Sequence, residues 1–298
     1  MGIEYLLLVG CSLMSGASTY FQKKYTQRTG DGGLTASLLF IFGSAVLSML
    51  SFWLMAGGKL VFNNTILLFA IISGLIYNAA NLINLFAYRN VNLVLISVFG
   101  KASTVTTWLF GVLLFNETPS PTNLASIALI IASVFLPIAD FKNSPGRLRL
   151  TYIIGLVQLL ISTANTITLK CFLALPSSDA VATSSLLFFS CAFMTIPPVI
   201  IMLVRTKKNS ALVRSEFSFI PFFAFICIIL TNLFGNPTSL VSSLVMKKMP
   251  LMNYSILTSA LGSMVVFLSS RLIFKERPGK TTIFALVLST LAAIINTL

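Results

Sequence analysis

One lysine and a handful of asparagines are the residues of this chain best equipped for chemistry. Lys101 stands about ten residues into an apolar run over 91–115, and at 1.5 Å of helix per residue it is about 15 Å from either end. A cation at that depth in hydrocarbon costs on the order of 3 kcal/mol, so it is expected to face a cavity or a partner. The acidic residues Glu4, Asp31, Glu117, Asp140, Asp179, Glu216 and Glu276 all fall near run ends or in loops, and none matches that depth. Two roles follow for Lys101. It offers a positive centre to a carboxylate, phosphate or zwitterion, or it donates to carbonyls and asparagine side chains as a structural group.

Asparagine in hydrocarbon also needs partners, and an interhelical hydrogen bond there is worth about 0.6 to 2 kcal/mol. Asn78, Asn81 and Tyr88 are spaced for neighbouring turns of one helical face, as are Asn81 and Asn84. Tyr77 lies on the same run, with Asn232, Asn236 and Ser239 on a later one. Ser97 and Thr104 flank Lys101, and Tyr254, Thr258 and Ser259 supply a further polar face. Together they suggest a water-filled pathway, with Asn78 and Asn236 either sharing one substrate or each pinning its helix to a neighbour. The lack of a deep carboxylate disfavours an exporter of cationic drugs, although the aromatic rings of Tyr77, Tyr88, Trp108 and Tyr254 leave room for an aromatic cage.

These residues need apolar helices to position them. With 56% hydrophobic and 9% charged residues and mean hydropathy +0.95, the chain falls far from the roughly 25% charged content of soluble domains. Its apolar runs are continuous, not alternating, which selects membrane helices over a barrel. Ten spans are expected, at roughly 4–22, 33–56, 64–88, 91–115, 121–139, 150–173, 180–204, 217–245, 250–274 and 280–297. The first lacks the basic start and cleavage site of a signal peptide and reads as a span. The net charge of +13 is carried mostly between spans, where it sets topology and does not imply nucleic acid. Four cysteines lie singly within spans and there is no histidine, so neither a disulfide framework nor a metal site is expected. An intramembrane enzyme would need paired acids, histidine ligands or an activated nucleophile. No enzyme and no cofactor is expected, and no glycine loop for a nucleotide is present.

The chain also repeats itself. Phe115, Glu117 and Pro119 recur as Phe274, Glu276 and Pro278, 159 residues on (274 minus 115), each set between two apolar runs. At an offset of 158, Arg89 falls on Lys247, Asn92 on Pro250, Asn81 on Ser239 and Asn78 on Asn236. Ser18 and Lys23 fall on Asn165 and Lys170 at an offset of 147. The expected organisation is a first five-helix repeat over 1–140, a linker over 141–149 and a second repeat over 150–298. An odd number of spans per repeat makes the second copy enter the membrane upside down, so the fold class is an all-α membrane protein with ten transmembrane helices as two inverted five-helix repeats. Glu117 and Glu276 read as structural groups, able to accept from the free N–H groups of the helix that follows each. Gly111, Gly155, Gly262 and Ala260 read as close-packing positions.

The tracts LFAYRNVNLVLISVFGKASTVTTWLFGVLLFNETPSPTNLASIALIIASVF and SLVMKKMPLMNYSILTSALGSMVVFLSSRLIFKERPGKTTIFALVLSTLAAI resemble the ten-helix, EamA-like members of the drug/metabolite transporter superfamily. That resemblance implies two five-helix bundles around a central cavity between the repeats and alternating access for small organic metabolites, often as exporters. The chain departs from the family pattern where Asn92 replaces a usual proline, kept as Pro250 in the second copy, and where Thr104 and Gly262 replace a deeper one. Fifteen Lys and Arg lie in or beside odd-numbered loops against three, Lys59, Lys247 and Lys248, in even-numbered ones. This bias puts both termini outside the plasma (inner) membrane, whereas most family members are taken to have them inside. The expected function is a secondary carrier of small polar metabolites, with amino acids and other carboxylate-bearing compounds favoured by Lys101. The alternatives are a multidrug or quaternary-amine carrier and a membrane sensor or scaffold. The expected partners are a small-molecule substrate and the lipid bilayer, with a homodimer compatible.

Overall fold

The computed structural model describes residues 3–29, 33–90, 93–136, 145–272, 275 and 280–297, excepting the side chains of 90, 93–101, 145–152, 270, 282 and 297. Among the described residues there are eleven helices: α1 (Ile3–Arg28), α2 (Gly33–Met55), α3 (Asn64–Asn90), α4 (Leu93–Phe115), α5 (Pro121–Phe135), α6 (Pro145–Leu173), α7 (Ala180–Lys208), α8 (Ser210–Ser218), α9 (Phe222–Lys248), α10 (Leu251–Leu272) and α11 (Lys280–Thr297).

Local chemistry sets several of the ends. Ser120 caps α5, its side chain accepting from Asn123 N while the Asn123 side chain accepts from Ser120 N, with Pro121 in the first turn. Asp179 accepts from Ala182 N at 2.6 Å and opens α7. The expected eighth span over 217–245 corresponds to α9, which begins at Phe222, and a short α8 occupies the segment before it. Asn209 caps α8 through Leu212 N at 3.0 Å, and Pro221 stands just before α9, where a missing N–H leaves no bond unmade.

Among the described residues, six helical stretches are long and apolar enough to cross a membrane, on α2, α3, α6, α7, α9 and α10, and shorter apolar stretches lie on α4, α5 and α11. Large apolar side chains such as Leu75, Leu113, Leu156, Leu203 and Leu233 are about 60% exposed, an outer surface suited to lipid.

The chain divides into two compact units. One holds Met1–Gly16, Asn90–Lys170 and Leu244–Leu298, the other Ala17–Arg89 and Cys171–Ser243. In the first, α4 packs on α10 and α5 on α11, around Ile130, Ile256 and Ala292. Asn123 ties three helices, its Nδ2 donating to Asn253 Oδ1 at 2.8 Å and Asn296 Oδ1 at 2.7 Å. Glu117 accepts from Leu251 N at 2.5 Å and Met252 N at 2.9 Å. It thus serves the start of α10 and not, as the sequence suggested, the helix that follows it, which Ser120 already caps. Lys170 Nζ donates to Met246 O and Met249 O, both at 2.9 Å, satisfying carbonyls at the end of α9. Glu276 lies outside the described residues. At Gly111 an added Cβ would sit 3.0 Å from Glu117 Oε2 and 3.1 Å from Met252 Cγ, so close packing holds there. At Gly262 nothing lies within 4 Å of that position, so that glycine does not mark a close contact.

In the second unit α2 packs on α7. Tyr25, Phe40, Ile41, Leu85 and Cys227 form a fully buried core, and Tyr25 Oη donates to Ala36 O at 2.6 Å. Gly74 lets α3 approach α7 so closely that a Cβ would stand 2.7 Å from Ser190 O.

Candidate functional site

The α2/α7 unit contains a cavity of about 190 Å³. Both sequence halves line it: Ser44 and Ser48 of α2 with Tyr77 and Asn81 of α3, then Cys191 of α7 with Asn232 and Asn236 of α9. Ser239 lines it as well, so the equivalent positions Asn81 and Ser239 meet at one site. Among the described residues, no Asp, Glu, Lys or Arg lines it. Its chemistry is that of amides and hydroxyls set among the rings of Phe40, Phe52 and Tyr77.

The polar wall is a connected network. Asn232 Nδ2 donates to Ile228 O at 2.7 Å and to Ser44 Oγ at 3.2 Å. Ser48 Oγ lies 2.8 Å from Asn232 Oδ1 and 2.9 Å from Asn236 Oδ1. Asn81 Nδ2 donates to Tyr77 O at 2.9 Å and points at Met194 Sδ, 3.6 Å away. Asn236 is 6% exposed, and its Nδ2 is buried with no hydrogen-bond partner.

The residues singled out from sequence divide between the two units. Tyr77, Asn81, Asn232 and Asn236 line the cavity. Asn78, on the same helix as Asn81, is not among the lining residues; its Nδ2 donates to Gly74 O at 3.0 Å and its Oδ1 is buried without a partner. Tyr88 shares a hydrogen bond with Thr19. Tyr254 and Ser259 stand on α10 in the other unit, Tyr254 buried and Ser259 Oγ enclosed without a partner. Lys101 and Ser97 are on α4, and their side chains lie outside the described residues.

Sequence reasoning passed over Ser44, Ser48 and the buried Gln22, all lining the cavity. A signal existed for the serines: Ser37, Ser44 and Ser48 recur at steps of seven and four, one face of α2.

Residues 2–139 match the profile of the EamA-like transporter family. One solved crystal structure superposes on 96% of this chain and 97% of its own length, with TM-score 0.59 and 12% identity, a likeness of fold. A search of curated proteins finds no significant match. Residues 2–139, a little under half of the chain, are thus similar to the EamA-like transporters of the drug/metabolite transporter superfamily, and the long apolar helices are those of a multi-pass membrane protein.

Proposed function

We propose that this protein is a secondary carrier of small polar metabolites, built of ten spans as two inverted repeats over 1–140 and 150–298 and working by alternating access. The observation that carries the reading is the cavity of amides and hydroxyls, without a charged side chain among its described lining residues, to which α2 and α3 from one half and α7 and α9 from the other contribute. Binding near a repeat interface is how such carriers hold substrate. The pairing of α2 with α7, α4 with α10 and α5 with α11 supports the repeat, since each couples a helix with its counterpart. The depth of Lys101 along its apolar run is what favours amino acids and other carboxylate-bearing compounds as the substrate class.

The test is thermal stabilisation of the purified protein across amino acids, organic acids, phosphates and quaternary amines, followed by uptake into proteoliposomes. Carboxylates are expected to raise the unfolding midpoint, and Lys101→Met to abolish that rise. A protein stabilised by cations alone would instead be a quaternary-amine carrier, the reading that the aromatic rings in the cavity favour.

A further inference from the structure

Ser48 has one hydrogen to give, yet two amide oxygens, Asn232 Oδ1 and Asn236 Oδ1, lie within 2.9 Å of its Oγ. Only one can receive it. Asn232 is held in place, because both of its amide hydrogens are taken by Ile228 O and Ser44 Oγ. It takes the Ser48 hydrogen. Asn236 has no such tether, and the two ends of an amide are told apart by the hydrogen bonds they make. A half-turn of its side-chain amide sends an N–H to a lone pair of Ser48 Oγ. Every group around Ser48 is then satisfied. The orphaned position beside the cavity, filled by Nδ2 before the turn, becomes that of Asn236 Oδ1, a buried acceptor with nothing to accept.

We propose that Asn236 Oδ1 is a docking point for an uncharged hydrogen-bond donor, a hydroxyl or a carboxamide N–H, on the transported molecule. The proposal rests on the carrier reading above and adds the chemistry of one end of the substrate. A carboxylate brings only acceptors and would face Asn236 Oδ1 oxygen to oxygen. An ammonium would shed its water among lining residues that include no acidic side chain. A buried acceptor of this kind discriminates strongly against a ligand that lacks the donor, because the acceptor is then left unpaired.

The test compares near-isosteric pairs that differ in the neutral donor, glutamine against glutamate, serine against alanine and threonine against valine, together with erythritol and tetramethylammonium. Binding is read by thermal stabilisation of the full-length protein in lipid nanodiscs. The wild type is expected to favour the donor-bearing member of a pair by at least tenfold. Asn236→Leu should erase that preference while still binding the partner without the donor, a binding that shows the variant to be folded. Equal affinity within every pair, or a preference for tetramethylammonium, overturns the proposal and leaves the carrier reading standing. Failure of every probe to stabilise the wild type overturns both.

Discussion

Glu216 fastens a surface helix with a single carboxylate. Its oxygens accept from Thr35 Oγ1 and from the Arg205 guanidinium at 3.1 Å, while Arg205 also donates to Thr35 Oγ1 at 3.2 Å. Burial works against the charged form. The hydrogen bonds from Thr35 and Arg205 and the charge of Arg205 outweigh it and hold Glu216 below its ordinary value of 4.5. A carboxylate with a depressed pKa contributes stability that is complete above the ordinary value and drains away as the pH falls through the folded one. Since α8 contains no buried residue, this cluster is a main fastening for it. The unfolding midpoint, followed from about pH 6 to pH 3, is expected to show an acid-dependent loss that Glu216→Gln lacks. Parallel profiles for the two proteins would remove Glu216 from that role. The same scale explains which cavity residues the sequence disclosed. An asparagine in a span is conspicuous because its amide cannot be satisfied by its own helix alone. A serine is silent because its hydroxyl can return to the carbonyl four residues back, as Ser51 does to Leu47 O and Ser190 to Leu186 O. Ser48 makes the exception, marked only by its spacing from Ser44 on one face of α2.

At the level of elements, the described residues of the doubled Phe-x-Glu-x-Pro share one backbone feature. Asn116 and Lys275, the residues just after the two phenylalanines, both adopt a left-handed conformation, with φ of 51° and 53°. Asparagine tolerates this region and lysine much less, at a cost of about 1 kcal/mol relative to glycine. Lys275→Gly is therefore expected to raise the unfolding temperature and Asn116→Val to lower it, both read by thermal melts in detergent. A lower midpoint for Lys275→Gly would count against strain at that turn. Helix positions were readable because an apolar run long enough to cross a bilayer has few other uses. α8 was not, because nine residues mixing Leu212 and Phe217 with Arg214 and Glu216 have neither the length nor the uniform apolarity of a span. Only the cap at Asn209 and the break at Pro221 separate α8 from α9.

For the whole molecule, the distribution of Lys and Arg sets orientation. With fifteen basic residues around odd-numbered loops against three around even-numbered ones, we expect both termini outside. A reporter that fluoresces only in the cytoplasm, fused after Leu298, should stay dark, and a bright fusion would reverse the assignment. The doubled motif is what led the sequence reading to expect a repeat, and it does not say which helices pack together. Sequence offsets pair positions along the chain, whereas packing pairs surfaces, and nothing in the spacing says that α4 lies on α10 or α5 on α11. The two compact units accordingly cut across the division at 141–149, each taking helices from both halves.

That interleaving has a consequence for how the protein is made. The last residue of α2 is Met55 and the first of its packing partner α7 is Ala180, 125 residues later. At about 5–20 residues per second, α2 waits roughly 6–25 s in the bilayer before the surface it buries against has been synthesised. During that interval Ser44 and Ser48, cavity residues in the finished protein, wait for Cys191 of α7 and for the amides of Asn232 and Asn236 on α9. Assembly of this chain is paced by the ribosome, with its early helices held in reserve for the late ones.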